Sequence, residues 1–189
     1  ELKKIPPGCE GLVFQPYFTP NIAMPYARGS IIGLSDVHTR IHLYRSIIEG
    51  INFALMSGLK QVERRAGVTV KELRLGGGGA NSDEICQITA NMFGMPAVRT
   101  QTTEVSGIGA AVAAFVGLGE FADFSEAVSH MVRTEKVFQP DLEEHRIYSK
   151  IFNDVFSKVN DRLTPLYMRQ REIVKDLKWQ QQEKKMSEN

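Results

Sequence analysis

A chain of 189 residues, 42% hydrophobic and 24% charged, carries enough apolar matter for one compact domain with room for an appendage, which excludes a disordered, collagenous or rod-like protein. Its 23 lysines and arginines nearly balance 22 aspartates and glutamates, and a net charge of +1 gives no extended field for nucleic acid or an anionic membrane. Two cysteines, Cys9 and Cys86, are too few for a disulfide framework, and the absence of a leader or long apolar run points to the reduced cytoplasm.

The chain opens at Glu1 without a methionine and soon reaches Pro6-Pro7-Gly8, a turn composition, so residues 1–10 are expected to be a linker or the end of a preceding segment of a longer protein. One domain is expected over residues 11–179. Gly11 to Phe18 is apolar and aromatic and reads as a short strand, followed by a loop to about Gly29. Ser30 to Leu34 is a second short strand, and Ser35-Asp36 can cap the helix that comes next. From about Val37 to Arg65, Ile41, Ile48, Ile51, Leu55, Leu59 and Val62 recur at three- and four-residue steps, with Arg40, Arg45, Glu49, Lys60 and Glu63 between them. That pattern predicts a long helix packed through its apolar stripe.

Beyond Gly67, Leu73-Arg74-Leu75 reads as a strand broken by Gly76-Gly77-Gly78-Gly79 before a helix from about Ser82 to Phe93. Ala97 to Gln101 is the next strand, leading into a small-residue helix from Gly107 to about Leu118. Further helices are expected at Phe124–Arg133, Leu142–Val159 and Pro165–Trp179, with a frayed polar tail over 180–189. The strand–helix succession predicts an α/β layer architecture with parallel neighbours, whose ligand edge lies at the carboxyl ends of the strands.

The glycine run is the sharpest chemical signal. A strand that ends in bare backbone and turns into a helix lets a flat ring or a phosphate approach without meeting a Cβ. It is neither a Walker loop, since Ala80-Asn81-Ser82 supplies no lysine, nor a dinucleotide fingerprint, since the third glycine is misplaced. The alternative is a tight turn capped by Asn81, with Glu84 reaching back. The second cluster, Gly107-Ile108-Gly109-Ala110-Ala111, reads as a surface for close packing, with Glu104 set against the helix dipole. His38 and His42 share a helical face, but Thr39 replaces the glutamate of a zinc motif and no further ligand follows, so capping and surface roles are expected. Cys86 reads as a core thiol and Met24, Met56, Met92 and Met95 as core filler.

Gly29-Ser30-Ile31-Ile32-Gly33-Leu34, seven residues, then His42-Leu43-Tyr44-Arg45-Ser46-Ile47-Ile48-Glu49 resembles the second signature of the FGGY carbohydrate kinases. Leu75 to Ser82 resembles that family's adenosine motif, Thr103-Glu104 with Gly107 to Ala111 resembles its closing Glu and Gly-Ala-Ala helix, and Pro25 to Gly29 is similar to the loop before the signature. The likeness runs in order from about Gly11 to Phe156.

The resemblance implies a partial ribonuclease-H-like, actin-like ATPase domain, α/β with a mixed sheet flanked by helices, forming the later part of a kinase's C-terminal half. It implies ATP and Mg²⁺ as cofactors, a sugar or polyol substrate, and a missing N-terminal half as partner; a homo-oligomer is left open, and neither nucleic acid nor membrane is expected. The family's aspartate and threonine phosphate loops do not occur here, and Asp36, Asp83 and Asp123 stand in other contexts, so no catalytic residue and no metal ligand are assigned. By the same motif Gly77, Gly78 and Gly79 would lie against the purine and ribose, with Asn81 or Ser82 supplying a hydrogen bond. The isolated chain is expected to be inactive. The competing reading is a regulatory or interaction module on the same scaffold, and a third is an unrelated α/β domain without actin-like strand order.

Overall fold

The computed structural model describes residues 1–20, 22 and 24–187. Strand β1 (Val13–Gln15) pairs antiparallel with β2 (Ser30–Ile32), Val13 opposite Ile32 and Gln15 opposite Ser30. β1 is shorter than its apolar run because Pro16 cannot donate to a ladder. Helix α1 (Arg40–Ala66) follows, capped by Thr39 rather than by Ser35 or Asp36. The Thr39 hydroxyl accepts from the Ile41 amide at 3.3 Å, and His42 Nδ1 accepts from the Thr39 amide at 3.2 Å. Ser35 instead donates its amide to His38 Nδ1 at 2.9 Å, so both histidines close turns. Gly67, with φ of 65°, ends the helix.

The second half builds a three-stranded sheet. β3 (Leu73–Leu75) leads through the glycine loop to α2 (Asp83–Phe93) and on to β4 (Ala97–Thr100), which lies parallel to β3. Helices α3 (Val105–Gly117) and α4 (Phe124–Met131) come next, and then β5 (Thr134–Phe138) pairs antiparallel with β4. The sheet is therefore mixed, as expected, but β5 had no counterpart in the sequence pattern. α5 (Leu142–Ile151) runs through a π-helical turn, Phe152–Phe156, into α6 (Ser157–Ser187). The helices expected at 142–159 and 165–179 are thus joined, with Pro165 inside α6, and the helix extends into the segment expected to fray.

The main core lies between α1, α2, α5 and the π turn, where Val13, Ile48, Phe53, Met56, Ile88, Met92, Tyr148, Phe152 and Phe156 pack together. A second core of Ala80, Cys86, Ala90, Ala97 and Phe138 sits beneath the glycine loop. β1 presses so close to α1 that a Cβ at Gly50 would collide with the Phe14 carbonyl oxygen.

The buried face of α1 follows the periodicity argument at Ile48, which joins the main core, and departs from it elsewhere. Arg45 and Glu49, placed among the solvated residues by the pattern, are 3% and 2% exposed, whereas Ile51, Leu55 and Val62 from the apolar stripe are 47%, 57% and 56% exposed. The reason is a closed polar cluster. Arg45 Nε donates to Glu49 at 2.8 Å, the Tyr148 hydroxyl donates to Glu49 at 2.9 Å, and the Gly8 amide donates to it at 3.1 Å. Arg45 donates as well to Tyr148 at 2.8 Å and to the Leu2 carbonyl at 2.7 Å. Every charge taken from water there finds partners, which makes the burial tolerable. Through Leu2 and Gly8 the cluster also holds the segment 1–10, expected as a linker, against α1, with Cys9 buried.

The stripe left outside faces an open groove. β3 pairs only with β4, and β1 only with β2, among the described residues. Tyr44, Ile47, Ile51 and Leu55 of α1 line a cavity of about 420 Å³ together with Leu75 and Gly76 beside β3. None of the helices, among the described residues, is long and apolar enough to cross a membrane.

Candidate functional site

The site begins where β3 runs out. Gly76 lies against Val105 at the start of α3, with no room for a side chain. Gly77 turns the chain with φ of 82° and donates its amide to the Thr103 carbonyl at 2.8 Å, so the glycine loop is joined to the Thr103-Glu104 stretch that precedes α3. A single 3₁₀ turn, Gly78–Asn81, then delivers the chain to α2. Ala80 is buried beneath the turn, and the Cys86 thiol donates to its carbonyl at 3.5 Å. Burial raises the Cys86 pKa, which fits a core thiol.

The open side of the loop is the informative one. A Cβ built at Gly77, Gly78 or Gly79 would meet nothing within 4 Å. Gly78 and Gly79 lack the positive φ that would by itself call for glycine. No neighbour in the folded chain and no backbone strain therefore accounts for these two glycines. The bare backbone lies between the cavity along α1 and a second cavity of about 490 Å³ that includes Gly76, Thr100, Val105, Ile108, Gly109 and Val112. Both are walled mainly by apolar side chains, suited to a flat, weakly polar ring.

At the entry to α2 the sequence reading is corrected. Ser82, not Asn81, is the N-cap: its hydroxyl accepts from the Ile85 amide at 3.4 Å and donates to Glu84 at 3.2 Å. Asn81 is exposed, its side-chain oxygen accepting from the Thr103 hydroxyl at 3.2 Å. The Asn81 amide nitrogen has no partner among the described residues.

Arg99 of β4 was not singled out by the sequence, yet it ties the loop from below. Its guanidinium donates to the Ala80 carbonyl at 3.0 Å, to Asp83 at 2.8 Å and to Glu135 at 2.9 Å. Lys136 reaches the other oxygen of Asp83 at 2.5 Å, and these two cations, Lys136 first, hold the Asp83 carboxyl below its ordinary pKa. Arg99 and Lys136 stand side by side across the β4–β5 pairing, so the share of Lys136 and Glu135 in this tie was invisible without β5. Asp83 is thereby engaged as a structural anion, and Asp123 caps α4 by accepting from the Glu126 amide at 2.9 Å. Neither is poised as a base. No cluster of three or more metal-ligating side chains occurs among the described residues, and His42 instead reaches Glu10 at 3.5 Å.

The Gly107–Ala111 stretch also departs from expectation. Close packing was anticipated, but Gly107 and Gly109 have open space around them, and Val112 is the one buried residue of α3. Glu104 takes the N-cap position without a capping hydrogen bond.

With this geometry in hand, comparison with known proteins is direct. The pattern described as "FGGY family of carbohydrate kinases, C-terminal domain" matches residues 3–118. A xylulose kinase of Staphylococcus epidermidis is 35% identical over 150 residues, covering 77% of this chain and 30% of the relative. A glycerol kinase of Dechloromonas aromatica is 36% identical over 130 residues, covering 69% of this chain and 26% of the relative. The crystal structure of xylulose kinase from Rhodospirillum rubrum superposes with a TM-score of 0.73 at 29% identity, covering 88% of this chain and 33% of that one. The chain thus spans about a third, or less, of the length of the proteins it matches.

Proposed function

Since the chain belongs to the FGGY family of carbohydrate kinases, and matches its C-terminal domain, we propose that it forms the adenosine side of the ATP site in an enzyme that passes the γ-phosphate of ATP to a hydroxyl of a sugar or polyol. The observation that carries this reading is the bare, unobstructed backbone at Gly77, Gly78 and Gly79. The purine lies on that backbone, beside apolar walls. Asn81 supplies the hydrogen bond, because its amide nitrogen is uncommitted while the Ser82 hydroxyl already accepts from one group and donates to another. The Arg99 tie fixes the loop's position before a nucleotide arrives, which lowers the ordering cost of binding.

Phosphoryl transfer also needs carboxylates for Mg²⁺, a base for the attacking hydroxyl and backbone loops around the β- and γ-phosphates. The engaged states of Asp83 and Asp123 leave those tasks to the part of the protein outside this chain, so the chain alone is inactive in this reading. The same part covers the unpaired edge of β3 and the exposed stripe Ile47, Ile51 and Leu55, surfaces ill suited to water.

The whole protein, assayed with ATP and Mg²⁺ over pentoses, hexoses, keto-sugars and polyols, is expected to release ADP with one of these acceptors. A whole protein that binds no ATP in the presence of Mg²⁺ contradicts the proposal. One that binds ATP and phosphorylates none of them supports the regulatory module instead.

A further inference from the structure

The short turn between β4 and α3 is pinned at each of its threonines. Thr100 donates its hydroxyl to the Thr102 carbonyl at 2.9 Å, and the Thr102 hydroxyl accepts from the Glu104 amide at 3.1 Å. Thr103, between them, takes the Gly77 amide on its carbonyl at 2.8 Å, and its hydroxyl donates to Asn81 Oδ1 at 3.2 Å. One residue therefore brackets the whole 3₁₀ turn, from Gly77 before its first residue to Asn81 at its last.

The second of these bonds has a chemical consequence. A side-chain amide carries a donor end and an acceptor end of nearly the same shape, and an exposed one turns end for end at little cost. Left alone, Asn81 would offer either end to a bound base. A hydroxyl that donates to Oδ1 removes that freedom: the oxygen is occupied, and the two N–H groups of Nδ2 are what remains, without a partner among the described residues. Threonine suits the task, because its branched Cβ restricts χ1 and its main chain is already tied to the loop. A donor held at this place calls for an acceptor on the ligand, which each free ring nitrogen of adenine provides.

Resting on the nucleotide reading given above, we propose that Thr103 is a positioning residue for the base: it holds the Asn81 amide with its nitrogen toward the nucleotide and so makes this a site for an acceptor ring nitrogen of adenine.

The test is equilibrium binding of ATP to the whole protein by titration calorimetry, with melting temperatures measured alongside. Thr103→Val, which keeps the branched shape and loses the hydroxyl, is expected to weaken ATP about threefold at an unchanged melting temperature, and Thr103→Ser to restore it. In an Asn81→Ala background Thr103→Val has no further effect, because the threonine acts through Asn81. Asn81→Asp, which can only accept, weakens ATP about tenfold or more. Of three ATP analogues with N1, N3 or N7 replaced by carbon, one loses its dependence on Thr103 and so marks the nitrogen that accepts. Unchanged affinity in Thr103→Val, an equal loss with and without Asn81, or parental affinity in Asn81→Asp overturns the proposal. Gly78→Val separates this from the underlying reading: if it weakens ATP while Thr103→Val does not, only the positioning role fails, and if it leaves ATP affinity intact, both fail.

Discussion

The Arg45–Glu49–Tyr148 cluster and the glycine loop are opposites in how their chemistry is answered. In the cluster each donor and acceptor is met from within the chain, across sequence separations of 41 to 103 residues, and the result is a closed joint between the N-terminal segment, α1 and α5. At the loop, Gly78 and Gly79 answer to nothing in the chain, neither a close neighbour nor a left-handed backbone. The contrast separates residues that make this fold from residues that serve something bound to it. It also warns against reading function from buried charge: Glu49 belongs to a kinase-like signature and is an ionisable group in a perturbed setting, yet its oxygens are occupied by Gly8, Arg45 and Tyr148.

The largest expected effect breaks the closed half of this comparison. Glu49→Ala leaves the Arg45 guanidinium buried without its carboxylate and should cost about 3–5 kcal/mol, read as a lower urea midpoint. Next comes the stripe on α1. Leu55→Asp should change the stability of the isolated chain by no more than about 0.5 kcal/mol, since the position is exposed there, but should destabilise the whole protein by about 2 kcal/mol or more where a neighbouring segment covers it. Equal effects in both would mean that the groove stays open. Smallest is the cap of α2: Ser82→Ala should lower stability by about 0.5–1 kcal/mol in thermal melts, while Asn81→Ala leaves stability nearly unchanged and weakens nucleotide binding.

The local features were legible in the sequence. Strand β3, the glycine break, α2, β4 and α3 fell where the pattern placed them to within a few residues, because glycine runs and short apolar strands act on their immediate neighbours. The cap at Ser82 was missed by one residue, since Asn81 and Ser82 are both good caps and only the geometry of the 3₁₀ turn chooses between them. The buried face of α1 was misread because its polar residues are satisfied by Leu2, Gly8 and Tyr148, partners that no local pattern names. β5 was missed because Thr134 to Val137 are exposed, leaving Phe138 as its one buried anchor. With β5 went the contacts of Lys136 with Asp83 and of Glu135 with Arg99, which depend on the β4–β5 register.

The central claim is that the open glycines are bare for the sake of a nucleotide, and the most direct measurement is ATP affinity in the whole protein carrying Gly78→Val. The account predicts at least a tenfold loss of ATP binding with an unchanged melting temperature and unchanged affinity for the sugar, because the added side chain fills space that nothing in this chain occupies. A folded Gly78→Val protein that binds ATP as the parent does would contradict it.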